Sequence, residues 1–165
     1  MGDQPVADAA SPDHGAVRRV IVVGVDDSAD SLAALDFALG EGRERGCPVE
    51  VVTAWLDRSR DSGDVAEGRA RAHQLQDEQI ARCLTGLTEA PVIGRVVVND
   101  YAGRVLVARA ERAAMVVVGS GGSSVGDRQL LGSVAEYCVR HAPVPVVIVP
   151  AAARLQRRMA AAESA

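Results

Sequence analysis

Five short apolar runs, set between segments of helical character, constrain the fold of this chain more than any other feature. They are Val20–Val25, Val49–Trp55, Val92–Val98, Met115–Val118 and Val144–Val149. Most are apolar along their length rather than alternating, as expected of strands buried on both faces. Pro48 and Pro91 introduce the second and third runs. Strand–helix alternation of this kind leads to a parallel sheet with helices on both faces, and right-handed crossovers make it a doubly wound α/β fold.

The intervening segments carry helix signals. Ser28 or Ser31 can cap a first helix whose apolar positions Leu32, Leu35 and Leu39 recur at three and four, with Gly42 and Gly46 closing it. A polar helix is expected over Val65–Leu87, with Leu75, Ile80, Leu84 and Leu87 as its apolar stripe. A third covers about Gly103–Ala113, with Leu106, Ala110 and Ala113 inward and Arg109 and Arg112 toward solvent. The fourth opens at Ser133, where Ser133-Val-Ala-Glu136 reads as a capping box, and Arg140 and His141 suit its C-terminus before Pro143. Residues 1–16 read as a flexible tail, 17–150 as the folded domain and 151–165 as an Ala-rich extension, loosely helical or disordered.

Size and composition narrow the function classes. A chain of 165 residues holds one domain with a sizeable core. With one Phe, one Trp and two Tyr in a chain that is 48% hydrophobic, that core must be built from Val, Ala and Leu. A net charge of −4 supplies no global field for nucleic acid. No apolar run approaches the ~20 residues of a membrane span, and the first residues lack the pattern of a leader peptide. A soluble cytoplasmic protein is expected. Cys47, Cys83 and Cys138 are widely spaced, which points to free thiols rather than disulfides or a metal cluster.

The chemistry concentrates in Val116–Pro150. The fourth run ends in Gly119-Ser120-Gly121-Gly122, and Gly132-Ser133 follows after nine residues. Glycines permit φ > 0, so that successive N–H groups can turn toward one anion. The helix opening at Ser133 adds unpaired N–H groups and a partial positive charge. A loop of this length in a compact domain is often functional. Arg128, beside Asp127, can reach a terminal phosphate or pair with its neighbour. Asp26 and Asp27 follow the first strand, where one of them, with Ser28, can cap the first helix. His14, His73 and His141 have no nucleophile near them in sequence.

The spacing G-x-x-G, nine residues, G-[ST] at Gly119, Gly122, Gly132 and Ser133 resembles the nucleotide loop of the universal stress protein family. VIVVGVDDS (Val20–Ser28), VEVVTAW (Val49–Trp55) and PVPVVIV (Pro143–Val149) resemble that family's first, second and last strands. The resemblance spans roughly Arg19 to Pro150. It implies a Rossmann-like five-stranded sheet of order 3-2-1-4-5, with the ligand at the switch point between strands one and four. It also implies an ATP site, or one for a related adenine nucleotide, with Mg²⁺ or Mn²⁺ accompanying the phosphates. Gly24 matches a position under the adenine and Ala54 one whose backbone meets the adenine edge. Asp26 matches an acid near ribose or, indirectly, the metal. Val25, Val118, Ser120, Gly121 and Val134 flank these positions in the implied site. VNDYAGRVL (Val98–Leu106) departs from the family's glycine-and-proline turn and places Tyr101 there.

Binding without efficient turnover is expected, because no Lys occurs in the chain to act as a P-loop lysine does. A homodimer through the Val144–Val149 edge strand is expected as well. Three other readings stand beside this one. Ser120–Ser124 resembles the SGG-x-[DS]-S loop of ATP-pyrophosphatases, but that loop belongs after the first strand. An oxidoreductase would need G-x-G-x-x-G where Gly24 stands alone. A non-binding dimeric module would not require the glycine pattern.

Overall fold

The computed structural model describes residues 19–56, 63–85, 87–121, 131–154 and 156. The element order is β1 (Val20–Gly24), α1 (Ala29–Arg45), β2 (Val49–Trp55), α2 (Gly63–Leu84), β3 (Ile93–Asn99), α3 (Ala102–Ala110), β4 (Ala113–Gly119), α4 (Ser133–His141) and β5 (Val146–Val149). The five strands form one parallel sheet of order β3-β2-β1-β4-β5. The doubly wound α/β fold and its strand order are therefore as expected. No helix among the described residues is long and apolar enough to cross a membrane.

Two apolar layers hold the sheet. On one face Ile21, Val23, Val51 and Val117 meet Leu35, Ala38 and Leu39 of α1 and Ile80 and Cys83 of α2. On the other, Val22, Val52, Val116 and Val118 meet Leu106 and Ala110 of α3 and Ala135 and Cys138 of α4. The core is built from Val, Ala and Leu, because Phe37 only borders the first layer. Small alanines let the helices lie close to the sheet.

Several element boundaries and helix faces depart from the sequence pattern. Ala113 is buried as expected, but as the first residue of β4 rather than the last of α3. β5 begins at Val146, two residues late, after Pro145. The inward face of α2 is also more polar than its leucines suggest: Gln76 and Gln79 are buried, whereas Leu75 is only half-buried. Gln76 Nε2 donates to Val51 O at 3.0 Å, Thr53 Oγ1 at 3.1 Å and Val96 O at 3.1 Å, cross-linking the helix to β2 and β3. A period-based reading ranks Gln as outward and misses this.

The N-terminus of α4 requires a second correction. Gly132, not Ser133, occupies the cap position, with φ −61° and ψ 152°, and among the described residues no side chain caps the helix. Glu136 is therefore too far along the helix to complete a capping box; it pairs with Arg140 at 2.8 Å instead.

Candidate functional site

β1 and β4 lie side by side at the centre of the sheet, and the chain leaves them toward opposite faces. Such a divergence opens a crevice beyond the strand carboxyl ends. A cleft of about 250 Å³ occupies it. Gly24, Val25 and Asp26 enter from β1 and its turn, Val52 and Ala54 from β2, and Val118, Gly119 and Gly121 from β4. Ala102 and Leu106 of α3 form one wall, and Gly132 with Ser133, Val134 and Ala135 of α4 another. The β2–α3 side is apolar. The α4 side carries Gly132 and the first turn of the helix.

Of the helices that start beside this cleft, α1 and α4 are treated differently. Ser28 caps α1: its hydroxyl accepts from Ser31 N at 3.1 Å. Asp26 supports that cap, since its Oδ1 accepts from Ser28 N at 2.9 Å and from Ser28 Oγ at 2.6 Å. Ser31 Oγ donates back to Asp26 O at 2.8 Å. Asp26 thus braces the turn while exposed at the mouth of the cleft. At α4 the first-turn N–H groups point out of the helix, as they must. Gly132 offers them no side-chain acceptor. Ser133, Val134 and Ala135 all line the cleft, so its surface there is a concentration of donors with partial positive charge.

The glycines act through space rather than through unusual torsion. Among the described residues only Gly46 has positive φ, so the left-handed backbone that the glycine-dense loop permits is not used at Gly119 or Gly121. A Cβ at Gly119 would lie 2.8 Å from the Asp30 carbonyl carbon and 2.9 Å from Ser31 N. The start of α1 rests directly on β4, and only glycine leaves it room. A Cβ at Gly24 would meet Leu106 Cδ1 at 2.9 Å.

Ten of the thirteen expected site residues (Gly24, Val25, Asp26, Ala54, Val118, Gly119, Gly121, Gly132, Ser133 and Val134) surround the cleft. Ser120 does not line it: its hydroxyl turns away to donate to Asp30 Oδ2 at 2.6 Å. Gly122 and Arg128 lie outside the described residues, as does Asp127. Asp27 is exposed. Tyr101 takes the N-cap position of α3 without capping it and is exposed at the surface. His141 stacks on Tyr137 with ring centroids 4.2 Å apart and its Nδ1 contacts Tyr137 O at 2.8 Å. Cys47, Cys83 and Cys138 form no disulfide, and burial pushes Cys138 up to about 11.

Sequence reasoning missed Asp30. Its Oδ2 accepts from Ser120 Oγ and from Gly121 N at 3.0 Å, and its Oδ1 from Ala151 N at 2.8 Å. An acidic residue in a first helical turn is ordinary, so no signal in the sequence sets this one apart.

A family model described as the universal stress protein family matches residues 18–150. The chain belongs to that family. It is 34% identical over 135 residues to universal stress protein Rv2623 of Mycobacterium tuberculosis, covering 78% of this chain and 44% of that one. The chain thus spans about half the length of the curated relatives it matches. Universal stress protein UspA from Lactobacillus plantarum superposes with a TM-score of 0.68 at 20% identity, covering 80% of this chain and 97% of that one. A universal stress protein solved in complex with cAMP superposes with a TM-score of 0.56 at 25% identity, covering 81% and 98%.

Proposed function

We propose that this protein binds an adenine nucleotide, ATP in the first instance, in the cleft between β1 and β4. The observation that carries the reading is the uncapped N-terminus of α4 facing the cleft, opposite an apolar wall of Val52, Val118 and Leu106. Phosphate oxygens suit the first, and a purine suits the second. The cAMP complex of a family member supports the same ligand class. Phosphates would lie against Gly132, Ser133 and Val134, and the adenosine against Gly24, Val25 and the backbone of Ala54. Gly119 and Gly121 would form the floor between them, and Asp26 would stand near the ribose.

The donor set fits a cation carried by the phosphates better than a resident metal. No group of three or more His, Cys, Asp and Glu capable of holding a metal occurs among the described residues. Among the described residues Asp26 is the only carboxylate lining the cleft, and its Oδ1 already serves Ser28. Mg²⁺ or Mn²⁺ would therefore be held chiefly by the phosphates, with Asp26 acting indirectly. Turnover would be slow or absent, because no Lys in the chain can meet the transferring phosphoryl group. On this reading the bound state is a regulatory signal in a cytoplasmic stress response, carried by a homodimer paired through β5.

Calorimetry with ATP on purified protein tests the site. Gly132→Val is the informative variant, because the φ and ψ of Gly132 suit any residue and Gly132 lines the cleft. ATP affinity should fall roughly tenfold or more, about 1.4 kcal/mol, while circular dichroism stays unchanged. Unaltered affinity would place the phosphates elsewhere. Steady-state phosphate release at about 1 s⁻¹ or faster would refute binding without turnover.

A further inference from the structure

We propose that Asp30 is the positioning residue for the phosphate side of this cleft. The inference rests on the nucleotide reading above and names a residue outside the lining itself. Asp30 stands in the first turn of α1, yet its carboxylate serves distant parts of the chain. Oδ2 receives both the hydroxyl of Ser120 and the N–H of Gly121, at 2.6 and 3.0 Å. Oδ1 receives Ala151 N at 2.8 Å, from the segment that leaves β5. With each oxygen held by a donor, the carboxylate has little freedom to rotate.

What it holds is the backbone that joins the two halves of the anion site. Ser120 O accepts from Gly132 N at 2.9 Å, which sets the cap residue of α4 against the end of β4. Ser120 N in turn donates to Val149 O at 3.2 Å. Asp30 therefore fixes Ser120, Ser120 fixes Gly132, and Gly132 aims the uncapped first turn of α4 into the cleft. Gly119, whose missing Cβ lets the Asp30 backbone approach, makes the arrangement possible. Both Asp30 oxygens are thus engaged by donors of the chain, so the carboxylate faces its own partners rather than open cleft.

The adenosine side has no such dependence. Ala54 belongs to β2, and Gly24 and Val25 are held by the β1–β2 ladder and by Val25 N donating to Val52 O at 2.8 Å. Loss of the Asp30 carboxylate should therefore weaken ligands in proportion to their phosphates.

The test is calorimetric titration of the full chain and its Asp30→Ala and Asp30→Asn variants with ATP and with adenosine. Hydrogen exchange of the ligand-free proteins provides a second arm. Asp30→Ala should raise the Kd for ATP roughly tenfold or more and leave that for adenosine within about twofold of the unsubstituted protein. Asp30→Asn, similar in size but with one acceptor oxygen, should fall between. Exchange at Gly121 and Ala151 should accelerate in Asp30→Ala, while the Ser31 amide, capped by Ser28, stays protected.

An unchanged ATP Kd would overturn the proposal. So would equal losses for ATP and adenosine, which would mean that the whole cleft had collapsed. If the unsubstituted protein bound neither ligand, the nucleotide reading would fall and take the phosphate role of Asp30 with it. Unaltered exchange at Gly121 and Ala151 would show that Asp30 does not hold these segments, whatever the protein binds.

Discussion

Gly119 and Gly24 both sit at the carboxyl end of a central strand, yet they should respond differently to an added methyl. At Gly119 the neighbours within 2.9 Å are backbone and Cβ atoms of α1, which cannot move without lifting the helix. At Gly24 the nearest neighbour is a terminal methyl of Leu106, which can rotate. Gly119→Ala should therefore cost about 1–3 kcal/mol, and Gly24→Ala clearly less, in urea unfolding. The reverse order would contradict the close approach of α1. Cys138 offers a pH test. Its thiol is raised from 9.0 to about 11 by burial. Above 9.0 the unfolded chain loses this proton while the folded chain keeps it, so the folded state binds more protons and stability falls as pH rises toward 11. Below 9.0 the group contributes no slope. Cys138→Ala should flatten the decline of the urea midpoint across this window; an identical slope would assign the effect to other groups.

At the scale of elements, α1 and α4 begin beside the same cleft with opposite solutions to the same problem. The first turn of α1 receives a hydroxyl cap from Ser28, braced by Asp26. That of α4 follows a glycine and has no side-chain cap among the described residues. On the nucleotide reading, the ligand supplies what α4 lacks. Gly132 already has the extended φ and ψ of an N-cap residue, so Gly132→Asp should cap the helix at no conformational cost. Thermal unfolding of the ligand-free variant should show a small gain, about 0.3 kcal/mol, and calorimetry a loss of ATP affinity through like-charge repulsion. Stability and binding falling together would count against an open anion site. Ser28→Ala, in contrast, should cost about 1 kcal/mol of stability.

For the whole molecule, the two edges of the sheet differ in kind. β3 exposes Gly94 and Arg95, the latter ion-paired with Asp77 across to α2, and so presents a polar border. β5 is Val-Val-Ile-Val, half-buried along most of its length. Edges with charge resist pairing, and apolar ones invite it. The segment after β5 begins a helix at residues 151–154 that turns toward α1. Ala153 packs on the α1 layer and Arg154 Nε lies 4.0 Å from Asp36 Oδ1. Light scattering should give twice the 17.2 kDa of one chain. A monomer at tens of micromolar would rule out the β5 dimer.

The doubly wound class was legible in the residues, because its signal is local, whereas the strand order came from the family resemblance. Apolar runs such as Val20–Val23 and Val116–Val118 can be satisfied only between two covered faces, and the helices between them force parallel strands. The glycines and a strand-end acid are visible without coordinates, and the family resemblance placed Gly24, Asp26 and Ala54 in the implied site. What holds those residues in place emerges only when the layers close. Gly119 serves the packing of α1 rather than a left-handed turn, Ser133 is a first-turn residue rather than a cap, and Gln76 reaches across two strands. Asp30 ties together Ser120, Gly121 and Ala151, which lie 90, 91 and 121 residues from it. A side chain's partners at such separations are set by how the layers close. Composition and periodicity record which faces are buried, and they carry no record of which polar groups will meet there.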